Sequence, residues 1–501
     1  MGGLTAAIDL ASRGHDVTVV ERATGPGGKL FPACVDGQPI DSGPTVLTMR
    51  WVFDSLFDDV GECLDEHLVL KPAVILARHA WSDNESLDLF ADPNRSAEAI
   101  GDFAGGAEAR GFRAFSERAR LIYETLKGPF ISAPRPTPFS LAREAGFVGL
   151  SNLLRPSPFN TLWRAVGTYF KDERLRQLFG RYATYCGSSP FNATAILMLV
   201  AHVEQSGVWL VAGGMHRLAD ALSACAKRQG AAFRYECQAE RIEVDHGRAI
   251  GVSLASGERI AADMVLVNAD VAAVATGRFG HQVTSAVAAP APAMRSLSAV
   301  TFVLHANTSG FPLIRHNVFF SSNYRREFDE IFCHRQIPEQ PTVYVCAQDR
   351  PAEDNAALEN EERLLVLVNA PPVGDQRSFS AEEIEQCRLR TFDMLHRCGL
   401  EIQARPQAMI TATPSDFERL YPATGGALYG AASHGWTASF SRPVARSRIP
   451  GLYFAGGSTH PGPGVPMAAL SGRLAAATML QDLASTRTSR RVAISGGMSM
   501  G

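Results

Sequence analysis

The sequence contains no hydrophobic run long enough to cross a membrane. A spanning helix needs about 20 consecutive apolar residues, and the most apolar stretch, residues 193–203, is far shorter. We also expect no secretion signal, because Met1 leads straight into a helical pattern without a basic segment. We therefore expect a protein that does not span a membrane, although it can still lie on a membrane surface.

The nine cysteines form no CxxC pair and no metal-ligand spacing, which argues against a zinc centre and a disulfide framework. We expect reduced, buried thiols in a cytoplasmic protein, and no metal site. The formal net charge of -3 provides no basic field, so no nucleic-acid partner is expected. The 501 residues are 46% hydrophobic, which is enough for the cores of two or three domains.

The first residues are typical of the second half of a βαβ dinucleotide-binding unit. Apolar residues from Leu4 to Ala11 recur at helical spacing, and Gly14 supplies the small residue that ends such a helix. The β-branched run Val17–Val20 predicts a strand. Glu21 stands at its end, where an acid accepts hydrogen bonds from a ribose.

The strand and the first glycines of this unit are absent. A complete fingerprint places a buried strand and the motif GxGxxG before the helix. Here only Gly2 and Gly3 are present, with Gly3 as the third fingerprint glycine. The missing strand would be central and buried on both faces. We therefore expect the natural chain to begin upstream of Met1.

Three further segments predict parts of the same unit. Gly28 and Lys29 belong to the glycine-rich stretch ERATGPGGKL, which lets the backbone pass close to an adenosine. Residues 207–223 predict a strand, a turn at Gly213–Gly214 and an amphipathic helix. A β-meander follows and ends in the buried strand Met264–Val267.

The segment Gly451–Leu480 is the most informative one. Leu452–Ala455 predicts a buried strand, Gly456–Gly457 a tight turn, and the loop up to Pro466 a stiff connection to a helix that begins near Met467. A helix N-terminus preceded by glycines offers free N–H groups and a positive dipole end. These suit the N1–C2=O side of a flavin, because this side gains negative charge on reduction.

Together, these motifs resemble the phytoene desaturase (carotenoid oxidoreductase) branch of the FAD-dependent amine oxidase superfamily. The resemblance covers nearly the whole chain and includes the segments MGGLTAAIDLASRGHDVTVVER and YFAGGSTHPGPGVPMAALSGR. The middle segment AHVEQSGVWLVAGGMH resembles the purple-bacterial members that introduce a C3–C4 double bond into acyclic 1-hydroxycarotenoids. The resemblance implies FAD as cofactor and a lipophilic carotenoid as substrate, with 1-hydroxyneurosporene to demethylspheroidene as an example.

The resemblance also implies an α/β fold. Its parts are a Rossmann-type FAD-binding domain of the glutathione-reductase/amine-oxidase type, here without its first strand, and an inserted α+β substrate domain. We expect the discontinuous FAD-binding domain over residues 1–75, 206–294 and 411–484. The substrate domain, which faces the membrane, is expected over residues 76–205 and 295–410, and a disordered tail over residues 485–501.

The resemblance assigns cofactor contacts position by position. Gly2 and Gly3 would approach the pyrophosphate, Glu21 would hold the adenosine ribose, and the backbone of Ala239 would meet the adenine. Gly457 stands where amine oxidases carry an aspartate, and its presence favours the desaturase branch. The full implied set is Gly2, Gly3, Glu21, Arg22, Gly28, Lys29, Ala239, Gly456, Gly457, Gly464, Pro466 and Met467.

The implied reaction removes two hydrogens from adjacent carbons, with a hydride passing to flavin N5. The cofactor supplies the difficult chemistry and the protein supplies a dry, aligned slot, so a catalytic triad is not required. His460 is the first candidate for an assisting base because it lies beside the presumed flavin loop. His202, Glu204 and Tyr185 are further candidates.

A basic and aromatic segment over residues 137–185 suits an interfacial membrane region, although the same composition occurs on solvated helices. We expect peripheral association with the inner or photosynthetic membrane. The basic and aromatic residues are Arg143, Arg155, Arg164, Lys171, Arg174, Arg176, Arg181, Phe139, Phe147, Phe159, Trp163, Tyr169 and Phe170.

Other readings stay open at this stage. The electron acceptor is open between a quinone and oxygen. Alternative functions are another polyene desaturase, a carotenoid isomerase of the same family, or a non-enzymatic lipid carrier such as the Rab escort proteins, which share this scaffold. The glycine-rich flavin loop argues against the carrier.

Overall fold

The computed structural model describes residues 1–154, 160–288, 291–351, 361–435 and 437–495. Within these ranges, no helix is both long enough and apolar enough to cross a bilayer. The helices are α1 Gly2–Ala11, α2 Trp51–Asp58, α3 Pro93–Ala104, α4 Gly106–Leu126, α5 Pro138–Leu154, α6 Leu162–Val166, α7 Glu173–Gly180, α8 Leu199–Gln205, α9 His216–Arg228, α10 Val271–Ala275, α11 Tyr324–Asp329, α12 Ala381–Arg397, α13 Pro414–Leu420 and α14 Val465–Ser495.

The described strands pair in both parallel and antiparallel directions. They are β1 Thr18–Val20, β2 Ala33–Val35, β3 Gln38–Ile40, β4 Leu70–Pro72, β5 Ile75–Ser82, β6 Glu85–Phe90, β7 Trp209–Val211, β8 Ala232–Arg234, β9 Ala239–Asp245, β10 Arg248–Leu254, β11 Arg259–Ala261, β12 Val265–Val267, β13 Ser298–Gly310, β14 His316–Phe319, β15 Val343–Ala347, β16 Glu362–Ala370, β17 Leu400–Ala412 and β18 Leu452–Phe454.

The parallel strands of the predicted dinucleotide unit form two separate pairs. β1 pairs with β8, and β12 pairs with β18. In the described ranges no ladder of hydrogen bonds joins the two pairs. Residues of β1 and of β12 line the same cavity, which lies between the two pairs. The predicted meander is also present, because β9, β10 and β11 pair antiparallel in sequence order.

A seven-stranded sheet forms the second layer, with the order β17-β13-β16-β15-β14-β5-β6. Alternate residues of a strand point to opposite faces. On β13, Thr301 and Val303 line the cavity, whereas Phe302 and Leu304 pack in the core that also contains Leu395 of α12. One face of this sheet is therefore a hydrophobic core, and the other is a wall of the cavity.

Helices α1 and α14 cross in close contact, and this crossing fixes the start of α1 beside the C-terminal loop. The Thr5 hydroxyl donates to the Ala469 carbonyl at 2.8 Å. Gly472 makes the approach feasible, because a Cβ there would lie 2.0 Å from the Gly2 carbonyl oxygen. Both helix faces at the crossing are built from small residues, so their backbones approach each other.

The disordered tail expected over residues 485–501 stays a prediction, although helix α14 has the bounds Val465–Ser495. Residues 496–501 lie outside the described ranges. The expectation that the cysteines are buried is wrong in part: all nine are free, but Cys34, Cys63 and Cys333 are exposed.

Candidate active site

One cavity of about 1850 Å³ runs between the two strand pairs, the seven-stranded sheet and the helices around α4 and α8. Pockets for drug-sized ligands usually occupy about 300–1,000 Å³, so this cavity has room for more than one such molecule. Every residue that the sequence predicts to hold the cofactor lines it: Gly2, Gly3, Glu21, Arg22, Gly28, Lys29, Ala239, Gly456, Gly457, Gly464, Pro466 and Met467.

The start of α1 meets the strand pair β12–β18 at a tight junction. The Gly3 N–H donates to the Asn268 side-chain oxygen at 2.8 Å, and the Asn268 amide donates to the Ala455 carbonyl at 2.9 Å. A Cβ on Gly2 would lie 2.9 Å from the Gly456 nitrogen. The predicted pyrophosphate glycines and the predicted flavin turn are therefore neighbours, and Asn268 links them.

The residues around Glu21 form the opposite end of the cofactor half. The Glu21 carboxylate accepts a hydrogen bond from the Ala23 N–H at 2.8 Å, which fixes its position after β1. The Arg22 guanidinium donates to the Leu420 carbonyl. Ala239 opens β9 and reaches the cavity from the meander. Glu21, Arg22 and Ala239 can therefore enclose one end of a long ligand.

Lys29 sits on a second glycine turn. Gly28 has φ 57°, a left-handed conformation that favours glycine. The Lys29 ammonium donates to the Leu428 carbonyl at 2.5 Å and lies 4.9 Å from the centroid of the Tyr421 ring. Burial lowers the pKa of Lys29, and the carboxylate of Asp270 acts in the opposite direction. The cavity thus has a half-buried lysine at this point.

The C-terminal loop leads from β18 into α14 and carries the predicted flavin contacts. Gly456 and Gly464 have φ values of 122° and 112°, which residues with a Cβ rarely adopt. The Ser471 hydroxyl accepts from the Gly456 N–H at 2.7 Å. Pro466 and Met467 belong to the first turn of α14, so the positive end of this helix faces the cavity.

Arg442 is a cavity residue that the sequence reasoning missed. Its guanidinium donates to the carbonyl groups of Ala431 at 2.7 Å, Tyr429 at 3.3 Å and Gly457 at 3.4 Å. Burial lowers its pKa. Arg442 therefore ties the predicted flavin turn to residues 429–431 and brings a buried positive charge next to it. No local motif signals this role, because its partners come from two separate loops.

Asp41 is a second residue whose importance becomes visible only in three dimensions. Its carboxylate, 3% exposed, accepts from the Met215 N–H at 2.5 Å and from the His216 N–H at 3.2 Å. It also lies 3.0 Å from His216 Nδ1. Asp41 is thus joined to the segment that follows the predicted turn Gly213–Gly214, at the start of α9.

The candidate bases do not share one position. His460 is not among the residues lining the cavity. Its Nε2 atom lies 2.9 Å from the Ala133 carbonyl oxygen, and burial lowers its pKa to about 4. Glu204 accepts hydrogen bonds from Tyr182 at 2.6 Å and Tyr185 at 2.5 Å. His202 packs against the ring of Tyr123, so of the four candidates only Tyr185 lines the cavity.

The remainder of the cavity is largely apolar. Its walls there come from the ends of α4 and α5, from α8 with the turn before it, and from the seven-stranded sheet. The lining side chains on the helical side include Leu126, Phe130, Ile131, Leu141, Ile196, Leu197, Leu199, Val200 and Val203. Such a surface excludes water and suits a long apolar ligand.

The basic and aromatic segment is less exposed than its composition suggests. Phe170 is fully buried, and Trp163 packs on Phe191 with 4.7 Å between the ring centroids. Phe139 is 78% exposed. Arg155, Phe159 and the Phe147 side chain lie outside what the structure describes.

The split layer of parallel strands, the meander, the glycine junction and the large cavity define a flavin-dependent oxidoreductase. The family model of the flavin containing amine oxidoreductases matches residues 1–480, and the chain belongs to this family. The residues present fit FAD, because the glycine junction brings the helix N-termini of α1 and α14 to one elongated cavity. The protein is accordingly an FAD-dependent oxidoreductase.

Among proteins of known function, the chain is 55% identical to hydroxyneurosporene desaturase from Rubrivivax gelatinosus over 500 residues, covering 100% of this chain and 95% of the relative. It is 44% identical to hydroxyneurosporene desaturase from Cereibacter sphaeroides, covering 97% of each chain. These identities extend over both the cofactor half and the apolar half of the cavity.

Solved structures share the fold at low sequence identity. Putrescine oxidase in complex with putrescine aligns with a TM-score of 0.57 and 17% identity, covering 96% of this chain and 97% of that chain. An oxidoreductase from Methanosarcina mazei aligns with a TM-score of 0.55 and 14% identity, covering 94% and 97%. The predicted FAD-binding α/β fold is thereby confirmed.

Proposed function

We propose that the protein is a carotenoid desaturase that introduces a C3–C4 double bond into an acyclic 1-hydroxycarotenoid. The observation that carries the proposal is the single cavity, in which the glycine junction continues directly into a long apolar space. The names of the relatives with 55% and 44% identity support the same substrate class. An extended polyene needs such a space next to a redox cofactor.

In this proposal the cofactor-binding half holds FAD with the residues predicted from the sequence. Gly2, Gly3 and the start of α1 would face the pyrophosphate, and Lys29 would place its charge nearby. Gly456, Pro466 and Met467 would border the flavin, with Arg442 behind the turn. FAD, when bound, supplies a two-electron acceptor for a hydride from the polyene.

The chain itself contributes alignment and dryness. Leu126, Leu141 and Val200 belong to an apolar wall of the cavity. Among the described residues that line the cavity, those from 126 to 142 and from 196 to 203 include no titratable side chain. Such a wall keeps water away from a cation that forms next to a polyene, and it holds the reacting carbons in place. These wall residues belong to the proposed substrate domain, which comprises residues 76–205 and 295–410.

An anaerobic single-turnover experiment tests the reaction. FAD-loaded protein is mixed with 1-hydroxyneurosporene, and the flavin and polyene spectra are recorded. The proposal expects the visible flavin absorbance to bleach while the polyene absorbance moves to longer wavelength. A carotenoid isomerase would change the polyene spectrum without net flavin bleaching, and a lipid carrier would change neither.

We also propose that α5 attaches the protein peripherally to a membrane. Pro138 and Leu141 of this helix line the cavity, whereas Phe139 is exposed and the Arg143 side chain is 69% exposed. A lipid-soluble substrate could thus pass from the bilayer to the cavity along one helix. Phe139→Glu should reduce co-sedimentation with anionic vesicles, and the exposed Leu389→Glu, away from the cavity, serves as the matched control.

The electron acceptor in this proposal is a quinone or oxygen. A membrane position at α5 favours a lipid-soluble quinone over a carrier that diffuses in water. Re-oxidation of the reduced protein by a short-chain quinone should be faster than re-oxidation by air-saturated buffer. Equal rates would leave oxygen as the acceptor.

A further inference from the structure

A small group of polar side chains interrupts the apolar part of the cavity. We call it the polar patch, and it consists of Arg181, Tyr185, Tyr324, Thr342 and Tyr344, all of which line the cavity. They come from the turn after α7, from α11 and from the region of β15. Buried polar groups need partners, so the patch requires an explanation.

Most members of the patch are already held by the protein. The Tyr185 hydroxyl donates to Glu204 at 2.5 Å. The Tyr344 hydroxyl lies 2.7 Å from the Thr45 hydroxyl and 2.8 Å from His316 Nδ1. Their positions are therefore fixed before any ligand binds.

Tyr324 is different. It is 3% exposed, and its hydroxyl has no hydrogen-bond partner among the described residues. An unsatisfied buried hydroxyl destabilises the folded state, by about 1–3 kcal/mol in typical cases. Its ring is held by the rings of Phe320 and Phe328, with centroids 5.8 and 5.1 Å away. The Tyr324 side chain thus lines the cavity in a fixed position and keeps a buried hydroxyl without a partner among the described residues.

Thr342 and Arg181 complement this hydroxyl. The Thr342 hydroxyl donates to the buried Glu327 side chain at 2.6 Å and accepts from the Ser321 N–H at 3.4 Å, so its oxygen keeps one further acceptor position. The Arg181 guanidinium lies 5.4 and 5.7 Å from the ring centroids of Tyr185 and Tyr344. Tyr185 and then the Glu204 carboxylate are its main electrostatic partners, and the Glu204 oxygens are engaged by Tyr182 and Tyr185.

A neutral hydroxyl group matches this arrangement. A hydroxyl offers one donor and two acceptor positions. Thr342 can accept from it, and Tyr324 and Arg181 can donate to it. A carboxylate would suit Arg181 but would lie near the buried Glu204 carboxylate, which disfavours a second negative charge.

We infer that the polar patch binds the hydroxyl-bearing end of the polyene and thereby sets which carbons face the cofactor. The inference rests on the proposed function for the identity of the ligand. The apolar wall contacts a hydroxylated polyene and a plain hydrocarbon polyene in the same way. Only the polar patch can distinguish a hydroxylated end from a hydrocarbon end. A site built to hydrogen-bond a hydroxyl discriminates strongly against an analogue that lacks it.

Binding titrations test this without relying on turnover. The FAD-loaded full chain is titrated with 1-hydroxyneurosporene or with neurosporene, which lacks the hydroxyl, in detergent micelles. The dissociation constant is read from the change in the polyene spectrum. The wild-type protein should bind the hydroxylated polyene more tightly. Tyr324→Phe should raise its dissociation constant about tenfold, in line with one lost hydrogen bond to a buried partner, and leave neurosporene unchanged.

Tyr169→Phe is the matched control. Tyr169 lies outside the cavity lining and packs on Phe115 with 5.8 Å between the ring centroids, so this variant should bind both polyenes like the wild type. Arg181→Lys, which keeps the charge, should weaken only the hydroxylated polyene, and Thr342→Val should do the same.

The inference is overturned if the wild type binds the two polyenes equally, or if Tyr324→Phe weakens both by the same factor. Tighter binding of a polyene carboxylate than of the hydroxylated polyene would also overturn it. If the protein discriminates as expected but does not desaturate, the proposed function fails while the hydroxyl site stands.

Discussion

Gly472→Ala should separate the two helices that build the cofactor junction. A methyl group at this position would lie 2.0 Å from the Gly2 carbonyl oxygen and 2.3 Å from the Thr5 hydroxyl oxygen. Favourable contacts between heavy atoms lie near 3.5–4.0 Å. Because the nearest atom belongs to the backbone, α1 or α14 must move by about 1.5 Å to restore such a contact.

The expected decrease in the free energy of unfolding is the balance of two opposing effects. Overpacking in a dense interior typically destabilises by about 1–3 kcal/mol, and a backbone clash belongs at the upper end. Replacing glycine with alanine within a helix contributes about 1 kcal/mol in the opposite direction. We therefore expect the free energy of unfolding to fall by about 2 kcal/mol. The shift also moves Gly2 away from Gly456, so the fraction of protein that retains FAD should fall at least about tenfold.

Urea unfolding and the flavin content of the purified protein measure the two effects. Gly101→Ala in α3 is the matched control, because its methyl group would meet only the Ala109 Cβ atom at 3.5 Å. That variant should keep its FAD and gain up to about 1 kcal/mol. If Gly472→Ala retains full stability and full FAD content, α1 and α14 do not pack as described.

Three further predictions concern single polar groups. Burial raises the pKa of Glu327 from 4.5 to about 7. Between these two pH values the folded state keeps a proton that the unfolded chain loses, so the free energy of unfolding falls as the pH rises from 4.5 to about 7. Urea titrations should show that the free energy of unfolding falls by about 3 kcal/mol more in the wild type than in Glu327→Gln over this pH range. Parallel curves of unfolding free energy against pH would contradict this. Asp41→Asn should lower the free energy of unfolding by about 2 kcal/mol, because a charged acceptor of two backbone N–H groups is lost; an unchanged urea midpoint would refute this. His460→Asn should lower the melting temperature yet leave the pH profile of conversion unchanged, and an altered profile would restore His460 as a candidate base.

The turns and strands of the site could be predicted from the sequence, because glycine and β-branched residues determine the conformation of the backbone at their own positions. Gly456 and Gly464 have backbone angles that glycine tolerates best, so their sequence pattern carries the turn directly. The alternation of β9 to β11 likewise predicts a meander without knowledge of any distant residue. The family resemblance then joined these pieces into one cofactor site.

The remaining parts depend on contacts between distant segments. Asn268 is 265 residues from Gly3, and Asp41 is 174 residues from Met215. Arg442 acts through carbonyl groups, which every residue possesses, and so leaves no pattern in the sequence. Inward packing of Trp163 and Phe170 is also a tertiary effect, which explains why composition alone overstated the exposed aromatic surface.

The assignment of FAD-binding residues and of domain boundaries stays a prediction that mutagenesis can check. The sheet of seven strands draws on residues 75–90 and 298–412, close to the predicted substrate segments. The cavity joins this sheet to the glycine junction. Both halves are therefore needed for the proposed reaction.

The position of the new double bond tests the central claim most directly. 1-Hydroxyneurosporene with deuterium on C3 and C4 is converted by the FAD-loaded full chain in the presence of a quinone, and the product is analysed by mass spectrometry. We predict a product that has lost one deuterium from each of these two carbons and absorbs at longer wavelength. A product that retains all of its deuterium, whether isomerised or unsaturated elsewhere, would contradict the account.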